Sequence, residues 1–319
     1  MSVALPYLES LRNAFGERLQ VDVPLKRYTA ARIGGNADVM ITANSVDELA
    51  GTAKKLWESG VPFIILGSGS NVLVSDAGVR QVVVLNRAKK IIFYAQPETP
   101  TVFVESGANL GALARQAAAH GFSGLEWAAG IPGTVGGAVY GNAGAHGADM
   151  SGNLVLANIL QLNPGNSDNT HDDLPEEWSV ERFEYTYRSS IIKRQPGCVV
   201  ILAALLRLGI SSVDAVQAKM DEFRILRQKS QPSGASLGSI FKNPEGDHAG
   251  RLIEAAGLKG ATKGKVEISR KHANFFINQD NANASDYATL INLAKEKVLE
   301  KFGVKLELEI ELIGDWSGN

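Results

Sequence analysis

Cysteine is nearly absent from this chain. The single Cys198 excludes a disulfide framework and any multi-cysteine zinc or iron–sulfur site. Charge of one sign is missing as well: 32 Lys and Arg against 34 Asp and Glu leave a formal net charge of −2 over 319 residues. That balance gives no footprint for nucleic acid and no polybasic anchor for lipid, though a local basic pocket for a small anion remains open. No long apolar run occurs. Cys198–Leu206 reaches only about half of the ~20 residues a membrane span requires, and it reads as a buried strand. Met1–Gln20 carries Glu9, Arg12, Glu17 and Arg18, charges that a signal-peptide core excludes. A soluble cytoplasmic protein is expected, a monomer with no nucleic-acid partner, no metal and no membrane insertion.

What is present is an alternation of strand and helix signals without a repeat period. Ala37–Ala43 reads as a strand. Ser45 and Glu48 form a capping box for a helix that Gly60 closes. Pro62–Leu66 and Val72–Val74 follow as strands, then Thr101–Glu105, and Asn109 caps an Ala-rich helix ending near Gly121. Strands at Leu154–Leu162 and Cys198–Leu208 flank a polar loop at Asn163–Pro175. Helices are expected at Val213–Lys229, Ala249–Ala256 and Asp286–Phe302, the last with Leu290, Leu293, Ala294, Val298 and Phe302 at helical spacing. A closing strand is expected over Lys305–Ile313. Leu208–Ser211 reads as a domain boundary.

Two glycine-rich tracts stand out among 33 glycines. The first is Gly67-Ser68-Gly69-Ser70-Asn71, whose small residues let backbone N–H groups approach a diphosphate. No Gly-Lys-Ser/Thr follows, so it is not a P-loop, and a Val/Leu strand follows where a dinucleotide fingerprint needs a helix. Alone it would pass equally well for a hairpin turn. The second tract is denser: eight of the 24 residues from Gly124 to Gly147 are glycine, with Gly130-Ile131-Pro132-Gly133-Thr134-Val135-Gly136-Gly137 at its centre. A tight turn needs one or two glycines. Two tracts between strands suggest a backbone surface laid along an extended phosphate-bearing cofactor.

The motifs Tyr28–Gly35 (YTAARIGG), Leu66–Leu73 (LGSGSNVL), Ala129–Gly147 (AGIPGTVGGAVYGNAGAHG), Tyr187–Ser190 (YRSS), Gly238–Pro244 (GSIFKNP) and Lys271–Phe275 (KHANF) occur in that order. Over about residues 26–314 the chain resembles the UDP-N-acetylenolpyruvoylglucosamine reductase family. The resemblance implies an α+β architecture: an FAD-binding domain of the p-cresol methylhydroxylase/vanillyl-alcohol oxidase type at 28–208, in two subdomains (28–88 and 89–208), then a smaller α+β substrate domain at 209–314. It implies non-covalent FAD, NADPH as co-substrate, and reduction of a UDP-sugar enolpyruvyl ether to UDP-N-acetylmuramate in peptidoglycan synthesis. FAD contacts are then expected from Gly67, Ser68, Gly69, Ser70, Asn71, Gly130, Ile131, Pro132, Gly133, Thr134, Gly137, Asn142 and Ala143.

The residue types can be weighed against that chemistry. Reducing an enol ether conjugated to a carboxylate adds hydride at the terminal carbon and a proton at the carbon bearing the carboxylate. Flavin N5 supplies hydride, which no side chain can. Negative charge then builds on an enolate, so a cation, a hydrogen-bond donor and an acid are needed. Arg188 would pass for a surface arginine by itself; in the Tyr-Arg-Ser-Ser context the resemblance implies the cation, and its planar fork matches a carboxylate. Ser239 would pass for a turn serine; the resemblance implies the proton donor, with Leu237 where the family pattern leads one to expect alanine. In Lys305–Leu312 the alternation sets Glu307, Glu309 and Glu311 on one face. The resemblance picks out Glu309, and like-charged neighbours with burial against a flavin would favour its neutral, donating form.

Lys242 and Asn243 follow Ser239 and are candidates for the UDP diphosphate, with Lys229 a further one. His272 and Asn274 belong to a matching motif, but a lone His before an apolar strand is more often a core residue, and both stay outside the catalytic set. Two rival readings remain. One is a flavin oxidase with a covalent tether, for which His146 is the sole awkward candidate. The other is a non-catalytic flavin or nucleotide sensor, which would not need Arg188, Ser239 and Glu309 together.

Overall fold

The computed structural model describes residues 7–162 and 175–317. Most of the polar loop expected at Asn163–Pro175 therefore lies outside the described residues. Strands and helices begin where local signals place them. Ser45 Oγ accepts from the N–H of Glu48 at 3.2 Å and starts the helix Val46–Glu58. The answering arm of the box reaches one residue further back than expected, with Glu48 Oε2 accepting from Asn44 N at 2.8 Å. Asn109 Oδ1 accepts from Ala112 N at 2.8 Å and starts the helix Leu110–Ala119. The bonds to Glu48 N and Ala112 N each satisfy an N–H that a first helical turn leaves without a partner.

A four-stranded sheet runs in the order Leu19–Pro24, Asn36–Ala43, Val79–Asn86, Phe63–Leu66. The described residues divide into two compact units: residues 41–67 with 83–225, and residues up to 40 with 68–82 and from 226 onward. The first unit is built on a five-stranded antiparallel sheet, in the order Glu176–Ser179, Leu154–Gln161, Val199–Arg207, Thr101–Glu105, Ile91–Tyr94. Its core joins Val102, Val104, Leu113, Ala117, Val135, Ile159, Phe183 and Leu206. In the second unit Val72–Val74, the strand that follows the first glycine loop, pairs in parallel with Glu311–Ile313 near the end of the chain. A small sheet of Thr262–Lys263, Val266–Ile268 and Phe276–Asn278 and the helices Ala249–Ala255 and Ala284–Phe302 complete it, around Phe241, Phe276, Tyr287, Leu290 and Val298.

Three expectations need correction. The second glycine tract does not simply connect strands: Thr134 caps a helix, Val135–Gly141, that contains Gly136, Gly137 and Gly141. Glycine inside a helix costs about 1 kcal/mol relative to alanine. Here close packing outweighs propensity, because a Cβ on Gly136 would lie 2.8 Å from Ser106 Cβ and the Gly136 N–H reaches Ser106 O at 2.7 Å. The closing strand is short, Glu311–Ile313, with a single bridge from Leu308 to Phe241 before a bend at Glu309. Cys198 is exposed, and the buried run begins after it, in Val199–Arg207.

Candidate active site

The first glycine loop is shaped by approach distances that leave no room for side chains. Gly69 has φ +57°, and a Cβ there would lie 2.2 Å from the Tyr28 carbonyl oxygen. A Cβ on Gly67 would sit 2.6 Å from Thr134 Oγ1, so the start of this loop and the second tract touch. Ser68 Oγ is buried and has no hydrogen-bond partner among the described residues. A buried hydroxyl left unpaired costs about 1–3 kcal/mol, so an acceptor from a ligand is the natural complement. An orphaned hydroxyl in a loop whose Gly67 and Gly69 admit no Cβ fits a diphosphate, and hence FAD. The second tract contributes differently. The amides of Ile131, Val135, Gly136 and Gly137 are already bonded to Ala128 O, Ala108 O, Ser106 O and Thr134 Oγ1. Pro132 has no N–H, so this tract offers a close surface more than a row of donors. Asn142 is 4% exposed, and its amide is committed to Asp149, Thr186 O and Ser151 N. The Ala143 N–H goes to Ala138 O.

Arg188 lies in the same unit as the second tract and is held by the end of the Val135–Gly141 helix. The last carbonyls of a helix lack intrahelical partners. Tyr185 Oη donates to Val139 O at 2.7 Å, and Ser190 Oγ donates to Tyr140 O at 2.6 Å. Burial pushes the Tyr185 phenol well above its ordinary range, with the nearby Asp149 adding to the shift, so it stays a donor. Between those two anchors Thr186 and Ser189 exchange backbone hydrogen bonds at 3.1 Å around a tight turn. Arg188 occupies its left-handed position, φ +57°. A non-glycine residue there carries strain of order 1–3 kcal/mol, which is typical of functional positions. Arg188 Nη2 donates to Gly144 O at 2.6 Å and Nη1 to Asn142 O at 3.5 Å. Two of the bonds that orient the fork thus go to neutral backbone carbonyls.

Ser239 and Glu309 lie in the other unit, on adjoining segments. Glu309 N donates to Ile240 O at 2.9 Å, and Asn71 Nδ2 donates to Glu309 O at 3.0 Å. Those two bonds tie the first glycine loop to Glu309 and Glu309 to the residue after Ser239. Gly238 has φ +76° with open space at its missing Cβ, so the backbone angle, not packing, calls for glycine. Ser239 is bridged to Phe275, and among the described residues no hydrogen bond occupies its hydroxyl. Leu237, the departure from the family pattern, is 3% exposed and sits in the core of the unit, away from solvent.

Asn274, left outside the catalytic set, turns out to hold this segment in place. Its Oδ1 accepts from Phe241 N at 2.9 Å and its Nδ2 donates to Phe241 O at 2.8 Å. Its own carbonyl accepts from Ile240 N. His272 Nδ1 accepts from Asn274 N at 3.2 Å. Burial lowers the His272 pKa, which keeps the ring neutral and able to accept. Asn274→Ala strands a buried N–H and a buried C=O of Phe241. We expect a loss of about 2–4 kcal/mol of stability, read as a lower urea midpoint with unchanged slope. A loss below 1 kcal/mol would mean that water replaces both bonds.

The expected diphosphate ligands are differently placed. Lys242 Nζ lies 3.7 Å from Glu307, and Asn243 Oδ1 accepts from Ala249 N; Lys229 is exposed at the end of the helix Val213–Ser230. A cavity of about 1010 Å³ in this unit is lined by Lys26, Arg27, Arg32 and Lys271 among others, but not by Ser239, Glu309 or Lys242. Among the described residues there is no cluster of His, Cys, Asp and Glu fit for a metal ion, and no helix long and apolar enough to cross a membrane.

Comparison with known proteins bears on the same residues. The family described as UDP-N-acetylenolpyruvoylglucosamine reductase, C-terminal domain, matches residues 229–313, and a family described as FAD binding domain matches residues 37–163. The chain is 42% identical over 294 residues to UDP-N-acetylenolpyruvoylglucosamine reductase of Rubrobacter xylanophilus, covering 92% of this chain and 95% of that one. It is 38% identical over 310 residues to the enzyme of the same name from Bacillus velezensis, covering 96% and 98%. The crystal structure of UDP-N-acetylenolpyruvylglucosamine reductase from Thermus caldophilus superposes with a TM-score of 0.75 at 32% identity, over 92% of this chain and 99% of that one.

Proposed function

The chain belongs to the UDP-N-acetylenolpyruvoylglucosamine reductase family, and from that premise we propose that it reduces the UDP-linked enolpyruvyl ether of N-acetylglucosamine to UDP-N-acetylmuramate with NADPH. It is an FAD-dependent oxidoreductase, and bound FAD supplies the hydride at N5. We assign cofactor binding to residues 28–208 and substrate binding to residues 209–314.

The remaining work falls to side chains. Arg188 binds the substrate carboxylate through its fork and offsets the charge that grows as hydride arrives. Glu309 donates a hydrogen bond to the same developing enolate. Ser239 Oγ–H delivers the proton to the carbon bearing the carboxylate. A serine hydroxyl is a weak acid, so it acts only beside a basic carbanion, with no competing acceptor on its proton. Lys242, Asn243 and Lys229 bind the diphosphate, Lys242 by releasing Glu307.

The observation that carries this reading is the pair of bonds from Asn71 to Glu309 and from Glu309 to Ile240. Through them the diphosphate loop, the enolate donor and the proton donor are held in one connected frame. If NADPH and the sugar bind at one position beside the cofactor that residues 67–71 would hold, one must leave before the other enters. Initial-rate plots at several fixed NADPH concentrations should be parallel. Intersecting lines would show a ternary complex and contradict a shared position. A covalently tethered oxidase is disfavoured by His146, which is packed face to face on Phe223.

A further inference from the structure

We propose that the stack of His146 on Phe223 is a positioning clamp for Arg188, acting through the hairpin that accepts the guanidinium. The inference rests on the reading of Arg188 as the carboxylate-binding cation. The strands Gly144–Ala145 and Ala148–Asp149 pair in antiparallel register, with Ala148 opposite Ala145. His146 and Gly147 form the two-residue turn between them, both left-handed at φ +55° and +81°. Two successive left-handed residues define the hairpin turn that suits strand twist, and Asn-Gly is the pair that adopts it most readily. Histidine is tolerated in the left-handed region, but the turn alone does not call for it over asparagine. It is explained by its ring, which lies 4.1 Å from that of Phe223, centroid to centroid, with the planes only 6° apart.

Phe223 is itself fixed. It projects from the helix Val213–Ser230, packs against the core of the unit, and has Lys219 Nζ 4.8 Å from its ring centroid. At the base of the same hairpin, Gly144 O takes the 2.6 Å bond from Arg188 Nη2. Asn142 O takes the longer one from Nη1, and Met150 N returns to Ala143 O at 2.9 Å. Movement of the tip therefore shifts the carbonyls that aim the fork. His146 and Phe223 need touch neither substrate nor flavin.

The test uses flavin-loaded full-length protein and three variants: His146→Asn, which keeps a residue suited to the left-handed turn but removes the ring; Phe223→Leu, which keeps an apolar side chain; and both together. Reoxidation of the reduced protein by the enolpyruvyl substrate should slow about three- to tenfold in each single variant, the range that a ring–ring contact is worth. The double variant should be no slower than the worse single one, because both break the same contact. Reduction by NADPH should stay within about twofold of the parent rate, and His146→Tyr, which restores a ring, should recover reoxidation. Independently of activity, amide hydrogen exchange across residues 143–150 should accelerate in each single variant, while the rest of the unit keeps its protection. Arg188→Lys run alongside separates the two claims. If it slows reoxidation and neither ring variant does, the clamp is wrong and the role of Arg188 stands. If Arg188→Lys leaves reoxidation intact, the role of Arg188 falls and the clamp falls with it. Additive losses in the double variant, or unchanged exchange at 143–150, would also overturn the clamp.

Discussion

Ser239→Ala is expected to leave reduction of the bound flavin by NADPH within about twofold of the parent rate and to slow reoxidation by the enolpyruvyl substrate about 10²–10⁴-fold, the span that a positioned general acid supplies. The asymmetry follows from where the proton is needed. Reduction of flavin by NADPH needs no proton at a substrate carbon, whereas the second half-reaction ends on a carbanion that must be protonated from a fixed direction. Ser239 sits on a backbone held by Asn274 on one side and Glu309 on the other, so its loss leaves the surrounding frame intact. Ser239→Cys should keep part of the rate, since a thiol with a reference pKa of about 8.5 still donates. Stopped-flow absorbance resolves the two steps. A Ser239→Ala protein that is slow with NADPH and fast with the sugar would remove Ser239 from the role of proton donor.

Gly69→Val is expected to give folded but colourless protein, with FAD bound at least about 100-fold more weakly, as left-handed strain and a backbone clash together demand. The β-branched side chain meets a φ of +57° that it does not adopt, and its Cβ would fall 2.2 Å from Tyr28 O and 2.9 Å from Thr29 Cα. Both are backbone atoms, so no rotamer change relieves the overlap. The loop must move, and Ser68 Oγ moves with it. Gly133→Val, at φ +139°, should behave similarly. Gly60→Val is the control: its φ of +63° is also strained, but nothing lies within 4 Å and the site is the end of a surface helix. It should lose some stability and keep its flavin. Flavin absorbance after desalting decides the matter, and full retention by both Gly69→Val and Gly133→Val would sink the assignment of these tracts.

Local signals made much of the fold legible. Ser45 and Asn109 cap helices through contacts three residues away, which a sequence states outright. The apolar runs at 154–161 and 199–207 became central strands because alternation and burial need no distant information. What escaped the sequence depends on distant packing. The helix Val135–Gly141 hides among glycines because its formation is decided by Ser106, about thirty residues earlier. Glu309 leaves the strand pattern because its amide is claimed by Ile240 and its carbonyl by Asn71.

For the candidate site, the sequence names residues and the structure shows what positions them. Motif resemblance proposes Arg188, Ser239 and Glu309 as a set, but says nothing of what holds each of them. Ser190 is read from the sequence only as part of the YRSS motif and Tyr185 carries no signal; both act by capping carbonyls of a helix that the glycine tract conceals. Asn274 was passed over with His272 because an Asn before an apolar strand carries no sign of a partner 33 residues away. Arg188 at positive φ is a strain signal that no residue name reveals.

The most direct test of the account begins with anaerobic titration of the purified yellow protein with NADPH until the flavin is bleached. The reduced protein is then mixed, still without oxygen, with the UDP-linked enolpyruvyl sugar. The oxidised flavin spectrum should return rapidly in proportion to sugar added, with UDP-N-acetylmuramate, two hydrogens heavier than the substrate, formed one for one. A flavin that NADPH bleaches but that only oxygen restores, with the sugar recovered unchanged, would contradict the account.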